Sequence, residues 1–529
     1  MTRRQTAYVR GLMVALLLLY WAASLSNLAV APPVYEDEPW QASTGWKLAT
    51  QGVFGSDMFA GNYGMEQHTY AFMPVHPLLM AVSFRIAGLG LFQARLETVA
   101  MGLLGLALTY ALGARLFNTQ VGLLASALLV LTRFTALSPY QMTGILWLDF
   151  TRIARYDAVV PVFGLASLHA YLTASLRSRP GWYLLAGLLA GLATLSHLYG
   201  VFWLVVLVSL VLWNRGGWRA LAAVLLGFAL PWTPYLIYVL GGLQDWAGQT
   251  RGYAPRFDLF NGRWYLDNLL REVNRYQLGL RLTSWPGMLR PGVWLTLIGL
   301  PMALAALGWK AAVRRDRTAR VLFTPALLLP VLFALLIQLK LANYAINMAS
   351  LAALALAWGA VTLWRWSRTL AQGVWLRAGI AALLLAVAFE GARQIAHVEA
   401  IAGSMTPYHR FIAQVRQHIP DGSRVLGLHS YWFGLSDLDY RTWYVPLVQA
   451  DPIYSQPSIP IGQALDSLAP DVILVDPRLR VYLDEPATRA GAADPGQITT
   501  WMASRGYQVD AVVDDPTYGP MQIYRLQRP

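Results

Sequence analysis

The sequence predicts a multi-span α-helical membrane protein of about eleven transmembrane helices, with amphipathic helices on its outer surface and a C-terminal α/β domain. Three observations carry this. Of 529 residues, 56% are hydrophobic and 13% charged, too apolar a balance for a chain that must cover its surface with polar groups. Apolar stretches recur through residues 1–392 at lengths that cross, or nearly cross, a bilayer. After residue 393 they give way to polar turns and short β-rich runs.

The apolar stretches lie at about 10–30, 96–116, 119–138, 157–176, 182–199, 200–213, 219–240, 292–311, 321–339, 343–364 and 374–392. The first follows Arg3, Arg4 and Arg10, and its "LAVA" would tolerate cleavage as a leader; its run of about 20 residues is nonetheless long enough to span. It reads as a retained first helix. The sixth is short, and 182–213 can also be drawn as one broken segment, so charge has to arbitrate. With the N-terminus in the cytoplasm and a crossing at each stretch, the inside loops carry Arg3/Arg4/Arg10, Arg115, Arg177/Arg179, Arg215/Arg219, Arg314/Arg315/Arg317/Arg320 and Arg365/Arg368/Arg377. Every short basic loop then falls on one side, as the positive-inside rule requires.

A crossing at 77–92, "PLLMAVSFRIAGLGLF", would invert every later loop, so this stretch reads as an amphipathic helix on the outer surface. Three larger segments are then extracytoplasmic: 31–95, 242–291 and 393–529. The expected organisation is a multi-pass domain over 1–392 in the cell membrane and an outer α/β domain over 393–529. In the latter, "SRVLGLH" (423–429), "DVILVD" (471–476), "YQVDAVV" (507–513) and "MQIYRL" (521–526) are the strand-like runs, with helical patterns between them.

The formal charge of +13 is scattered in short groups and forms no stripe, which speaks for topology and against nucleic acid. With no cysteine, disulfides, thiolate nucleophiles and cysteine metal sites are excluded. The sequence contains no Gly-rich phosphate loop and no convincing repeat.

Candidate chemistry gathers on the outer side. "VYEDEPW" places Glu36, Asp37 and Glu38 just after the first span, either as a solvated rim or as a reaction centre; Pro32, Pro33 and Pro39 stiffen the backbone around them. In "RIARYDAVVPVFGLASL" (152–168), Asp157 opens a span, where it would serve as a helix cap, and Arg155 adds a cation suited to phosphate. His197 in "ATLSHLYGVFW" sits at the outer end of two apolar segments, where an ionisable group is costly enough to invite a functional reading alongside a structural one. Lys340 in "IQLKLANYAIN" either snorkels to the interface or faces a phosphate. His68 and His76, with Asp37, Glu38, Glu66 and Asp157, are conceivable ligands for a divalent cation, although the spacing matches no metal motif. The segment "QTRGYAPRFDLFNGRWYLDNLLREVNRY" is either a solvated amphipathic loop or a lid, with aromatic faces for sugar rings and Arg251, Arg256 or Arg263 for phosphate.

The order of these features resembles the GT-C glycosyltransferases. An acidic pair follows the first span, a proline-rich "FMPVHPLLMAVSFRIAGLGLFQAR" precedes the second, an R-x-D opens the fourth, and a "SHLYG" turn and a Lys-x3-Tyr come later. The likeness is to the bacterial branch related to protein O-mannosyltransferases and to the aminoarabinose transferases of lipid A. It covers residues 1 to about 392 in layout, and the C-terminal domain is similar to those appended to many bacterial members.

The resemblance implies a hexosyl- or pentosyltransferase. Such an enzyme takes a sugar from a polyprenyl-phosphate carrier and attaches it to a lipid, glycan or protein hydroxyl outside the membrane, with inversion. Its acidic pair lands on Asp37, as general base, and Glu38; its second acid lands on Asp157; its late cation and tyrosine land on Lys340 and Tyr344. Its histidine turn lands on His197, where Leu198 replaces the usual proline. No cofactor follows beyond a possible divalent cation. A transporter or flippase of a lipid-linked sugar is the alternative, but such proteins place polar groups near the midplane, often in paired halves.

Overall fold

The computed structural model describes residues 3–134, 142–177, 179–280, 289–484 and 495–527. Among these, eight helices are long and apolar enough to cross a membrane: Ala7–Leu25, Leu91–Leu116, Tyr156–Leu176, Gly217–Leu240, Pro291–Ala312, Arg317–Leu336, Ala342–Ser367 and Gly373–Ala402. Each falls on an expected span, and the chain is a multi-pass membrane protein. Three shorter apolar helices, Thr119–Leu131, Pro180–Ser196 and Leu198–Trp213, fall on the other three stretches, and Val75–Ala87 falls on the one assigned to the surface. Residues 135–138 of the third stretch and 281–288 of the segment 242–291 lie outside the described residues.

The broken segment at 182–213 is two helices. His197 leaves helical geometry at φ −162° and ψ 144°, its ring nitrogen accepts the Tyr199 N–H, and a single 3-10 turn, Leu198–Gly200, starts the next helix. A Cβ on Gly200 would stand 2.2 Å from the Ala193 carbonyl oxygen, so only glycine allows the chain to double back this tightly.

The chain folds as two compact units, each discontinuous in sequence. One comprises Met1–Leu28, Thr98–Tyr235 and Phe257–Ile401. Its core is a helical bundle in which Trp147, Tyr171, Trp203 and Phe333 are fully buried. Small residues let helices approach closely, as membrane interfaces favour; a Cβ on Gly164 would overlap the Trp203 ring at 1.9 Å.

The other unit comprises Ala29–Glu97, Leu236–Arg256 and Ala402–Pro529. It holds a five-stranded sheet of β1 (Arg424–Gly427), β2 (Asp439–Thr442), β3 (Val472–Val475), β4 (Tyr507–Val513) and β5 (Met521–Leu526), in the order β2-β1-β3-β5-β4. β1 runs parallel to β2 and β3, while β5 is antiparallel to both β3 and β4. β1, β3, β4 and β5 fall on the four strand-like runs. β2 was not anticipated: "DYRT" is a short edge strand whose buried Tyr440 and Thr442 alternate with Asp439 and Arg441. The sheet is tied to the segment 31–95 by Arg441, which donates to the Asp57 carbonyl at 2.7 Å, and by Gln449, which donates to the Gly61 carbonyl at 2.7 Å.

Candidate catalytic residues

Asp37 is half-buried and opens the helix Asp37–Gln51, where the positive end of the helix dipole favours a carboxylate. Its neighbour Glu38 is fully buried, and so is Arg95. The guanidinium grips both Glu38 oxygens at 2.7 Å and also donates to the carbonyls of Pro32 at 2.8 Å and Pro33 at 3.1 Å. The Tyr35 N–H adds a bond of 2.7 Å to Glu38 Oε2. A bidentate, charge-assisted pair of this kind occupies both carboxylate oxygens and fixes their direction. The proline carbonyls thus do more than stiffen the turn, since they complete the seat of Arg95.

Glu36, half-exposed, meets Arg478 at 3.3 Å. Arg478 in turn pairs with buried Asp476 at 3.0 Å and donates to Ser430 Oγ at 3.1 Å. Asp476 also accepts from the Tyr431 hydroxyl at 2.6 Å and from the Leu479 N–H at 2.8 Å.

Three residues beyond Asp37, Trp40 packs edge-on against Phe59, Phe72, His429 and Tyr444, with ring centres 4.5 to 5.6 Å away. Tyr253 belongs to the same unit. Burial pushes its hydroxyl up; Arg256, whose guanidinium lies 4.9 Å over the ring, opposes this, and the Asp37 carboxylate adds to it. Arg251 is half-buried on the same 3-10 turn, whereas Arg263 belongs to the other unit and lies exposed, 4.0 Å from Asp267.

His68 and His76 each meet a carboxylate. His68 Nε2 lies 2.6 Å from Asp245, and buried His76 Nε2 lies 2.6 Å from Glu97 with Nδ1 3.4 Å from Gln41. Glu66 accepts from the Gly61 N–H at 3.3 Å. Among the described residues no three His, Asp or Glu side chains gather to hold a metal ion.

In the bundle unit, three sequence features meet. Asp157 is fully buried in the first turn of Tyr156–Arg177. Arg155 Nε stands 2.8 Å from Asp157 Oδ2, the Tyr199 hydroxyl donates to Oδ1 at 2.7 Å, and Asn343 Nδ2 reaches Oδ2 at 3.4 Å. The His197 ring stacks on Tyr156 at 4.4 Å and meets Tyr199, tilted, at 4.0 Å, and Tyr199 continues to Tyr344 at 5.6 Å.

Lys340 does not snorkel to water. Its side chain is only 5% exposed, donates to the Ala334 carbonyl at 2.7 Å and pairs with Glu272 at 3.0 Å. Glu272 also receives Arg275, fully buried, through bonds of 2.7 and 3.2 Å. The Arg275 guanidinium lies 5.9 Å from the rings of Phe333 and Tyr344. Two buried cations therefore share one carboxylate, leaving a positive charge in a low-dielectric setting. Glu272 and Arg275 escaped the sequence reading; their i, i+3 spacing was the available signal.

The profile of a family described as dolichyl-phosphate-mannose-protein mannosyltransferase matches residues 68–238. Among solved structures, ArnT from Cupriavidus metallidurans bound to undecaprenyl phosphate is similar over 99% of this chain and 99% of that one, with a TM-score of 0.60 and 17% identity. The oligosaccharyltransferase of Archaeoglobus fulgidus, tethered with an acceptor peptide containing the NVT sequon, matches 98% of this chain and 74% of its own, at 0.57 and 13%. The AglB protein of the same organism, in complex with an inhibitory peptide and a dolichol-phosphate, matches 98% and 74%, at 0.56 and 12%. No curated protein matches the sequence. At such identities the likeness is one of fold.

Proposed function

From the premise that this chain carries the GT-C glycosyltransferase fold, we propose that it transfers a sugar from a polyprenyl-phosphate carrier to a hydroxyl of a lipid, glycan or protein at the outer face of the cell membrane, with its N-terminus in the cytoplasm. The lipid phosphates bound to ArnT and AglB support the donor class. The observation that carries the reading is the division of labour in the acidic stretch: Glu38 is consumed by Arg95, while half-buried Asp37, whose charge reaches Tyr253, stands at the positive end of a helix.

In this reading Asp37 is the general base. It takes the acceptor proton as the hydroxyl oxygen attacks the anomeric carbon. The bond from that carbon to the phosphate oxygen breaks, and the phosphate leaves with the electron pair on the opposite face. Glu38 is a positioning residue. Arg155 and the Lys340 and Arg275 pair supply positive charge for the departing phosphate, and the Tyr344 hydroxyl supplies a donor. Asp157 orients Arg155 and Tyr199. His197 is a stacking element, and His68 and His76 fasten the outer segment through Asp245 and Glu97.

Asp37→Asn is the test, assayed in proteoliposomes with a polyprenyl-phosphate sugar and a hydroxyl acceptor. Transfer is expected to fall to background with insertion and folding intact. Normal turnover would remove the base from the scheme.

A further inference from the structure

The helix Gly262–Leu280 is amphipathic in the wrong sense for a helix in water. The face toward its own unit carries the polar and charged Asn268, Glu272 and Arg275 beside Trp264, all four buried. The opposite face is apolar and exposed, with Leu266 at 54%, Leu269 at 50%, Leu270 at 66% and Val273 at 49% exposure. At 3.6 residues per turn the buried four fill a sector of about 80°, and the exposed four a sector of about 100° on the other side. Phe257, Leu259 and Phe260, just before the helix, are exposed as well.

Its anchors give its level. Asn268 donates to the Leu335 carbonyl at 3.0 Å and Arg275 to the Leu341 carbonyl at 2.8 Å. These carbonyls lie at the end of the span Arg317–Leu336 and just before the span Ala342–Ser367, so the helix crosses where two spans meet the membrane surface. Leu339 and Leu341, exposed at the same place, extend the apolar patch, while Arg263 and Arg271 stand exposed to one side of it. A helix with one apolar face and flanking cations at that level lies in the plane of the interface.

We propose that the helix Gly262–Leu280 is an in-plane membrane helix, with Leu266, Leu269, Leu270 and Val273 immersed among the acyl chains of the bulk leaflet and the Glu272, Arg275 and Lys340 group turned inward. Of the two sequence readings for this segment, a solvated amphipathic loop or a lid, a lipid-borne element stands against the first. This holds whatever the chain catalyses.

The chain has no cysteine, so single spin labels can be placed without background. Leu266→Cys, Leu270→Cys and Val273→Cys are labelled on the intact protein in vesicles of phosphatidylethanolamine and phosphatidylglycerol with no polyprenyl lipid added, and Arg271→Cys serves as the flank. Collision with oxygen is expected to exceed collision with a water-soluble nickel chelate severalfold at the three apolar positions, with the order reversed at 271. Nickel access at all four positions would overturn the proposal in favour of a solvated loop. Protection of the apolar positions from both colliders would overturn it in favour of a protein partner.

Discussion

Arg478 binds two carboxylates from distant parts of the chain, Asp476 beside it at 3.0 Å and Glu36 at 3.3 Å. Glu36 immediately precedes Asp37, so the residue proposed as base hangs from a backbone that the C-terminal sheet domain helps to fix. Arg478→Ala leaves Asp476 buried with only its Tyr431 and Leu479 bonds. The expected cost is about 1–3 kcal/mol in unfolding free energy, with a loss of turnover. Glu36→Gln, at a half-exposed pair, should cost less than about 1 kcal/mol. Equal melting temperatures for Arg478→Ala and the parent would refute the coupling.

Asp37 and Glu38 should separate by readout. Glu38→Gln strips a fully buried guanidinium of its counter-charge and is expected to destabilise the protein by about 3–5 kcal/mol. Asp37→Asn should melt within about 1 kcal/mol of the parent and yet fail in transfer. Thermal unfolding and turnover, measured on both variants, decide the assignment; a stable Glu38→Gln would mean that Arg95 has another anchor.

In the bundle, Tyr199→Phe deletes the hydroxyl that donates to Asp157 at 2.7 Å. A loss of roughly 1–3 kcal/mol in stability is expected. Equilibrium binding of undecaprenyl phosphate should weaken as well, because Arg155 loses its orientation. Unchanged affinity would dissociate this cluster from the donor phosphate.

Burial, reinforced by the charge of Arg478, pushes the His429 ring down to about 3, so it is neutral in the folded protein at physiological pH. It faces Trp40, with Thr442 Oγ1 3.4 Å from Nδ1. Between pH 3 and the ordinary value of about 6.5 the unfolded chain binds a proton that the folded chain does not, so stability rises with pH across this window and falls on acidification. Melting temperatures from pH 7 down to 4 should show this, and His429→Gln should flatten the profile. An unaltered slope would place the acid sensitivity elsewhere.

The spans were legible because a bilayer demands long apolar runs and short arginine-bearing loops separate them. Four strands were legible because a buried sheet demands β-branched runs such as "VILV". β2 was not, since an edge strand that alternates Asp, Tyr, Arg and Thr carries no apolar signature. The order of R-x-D, "SHLYG" and "NYAIN" was readable, but their meeting around Asp157 depends on how three helix ends pack. The Glu38 and Arg95 pair had no local signal at all, because its partners are 57 residues apart and Arg95 looks like an ordinary interfacial cation. Glu272 and Arg275 were hidden for the opposite reason: among exposed leucines and other charges they look solvated, and the inversion of that helix shows only once its neighbours are in place.

Arg95 ties Glu38, Pro32 and Pro33 into one clasp. With Glu36 held by Arg478 as well, the shape of the acidic turn is settled when the chain folds, before any substrate arrives. Anyone transplanting "VYEDEPW" into another scaffold would have to carry both distant arginines, Arg95 and Arg478, with it, whereas loops that touch neither can be exchanged while the clasp stays intact.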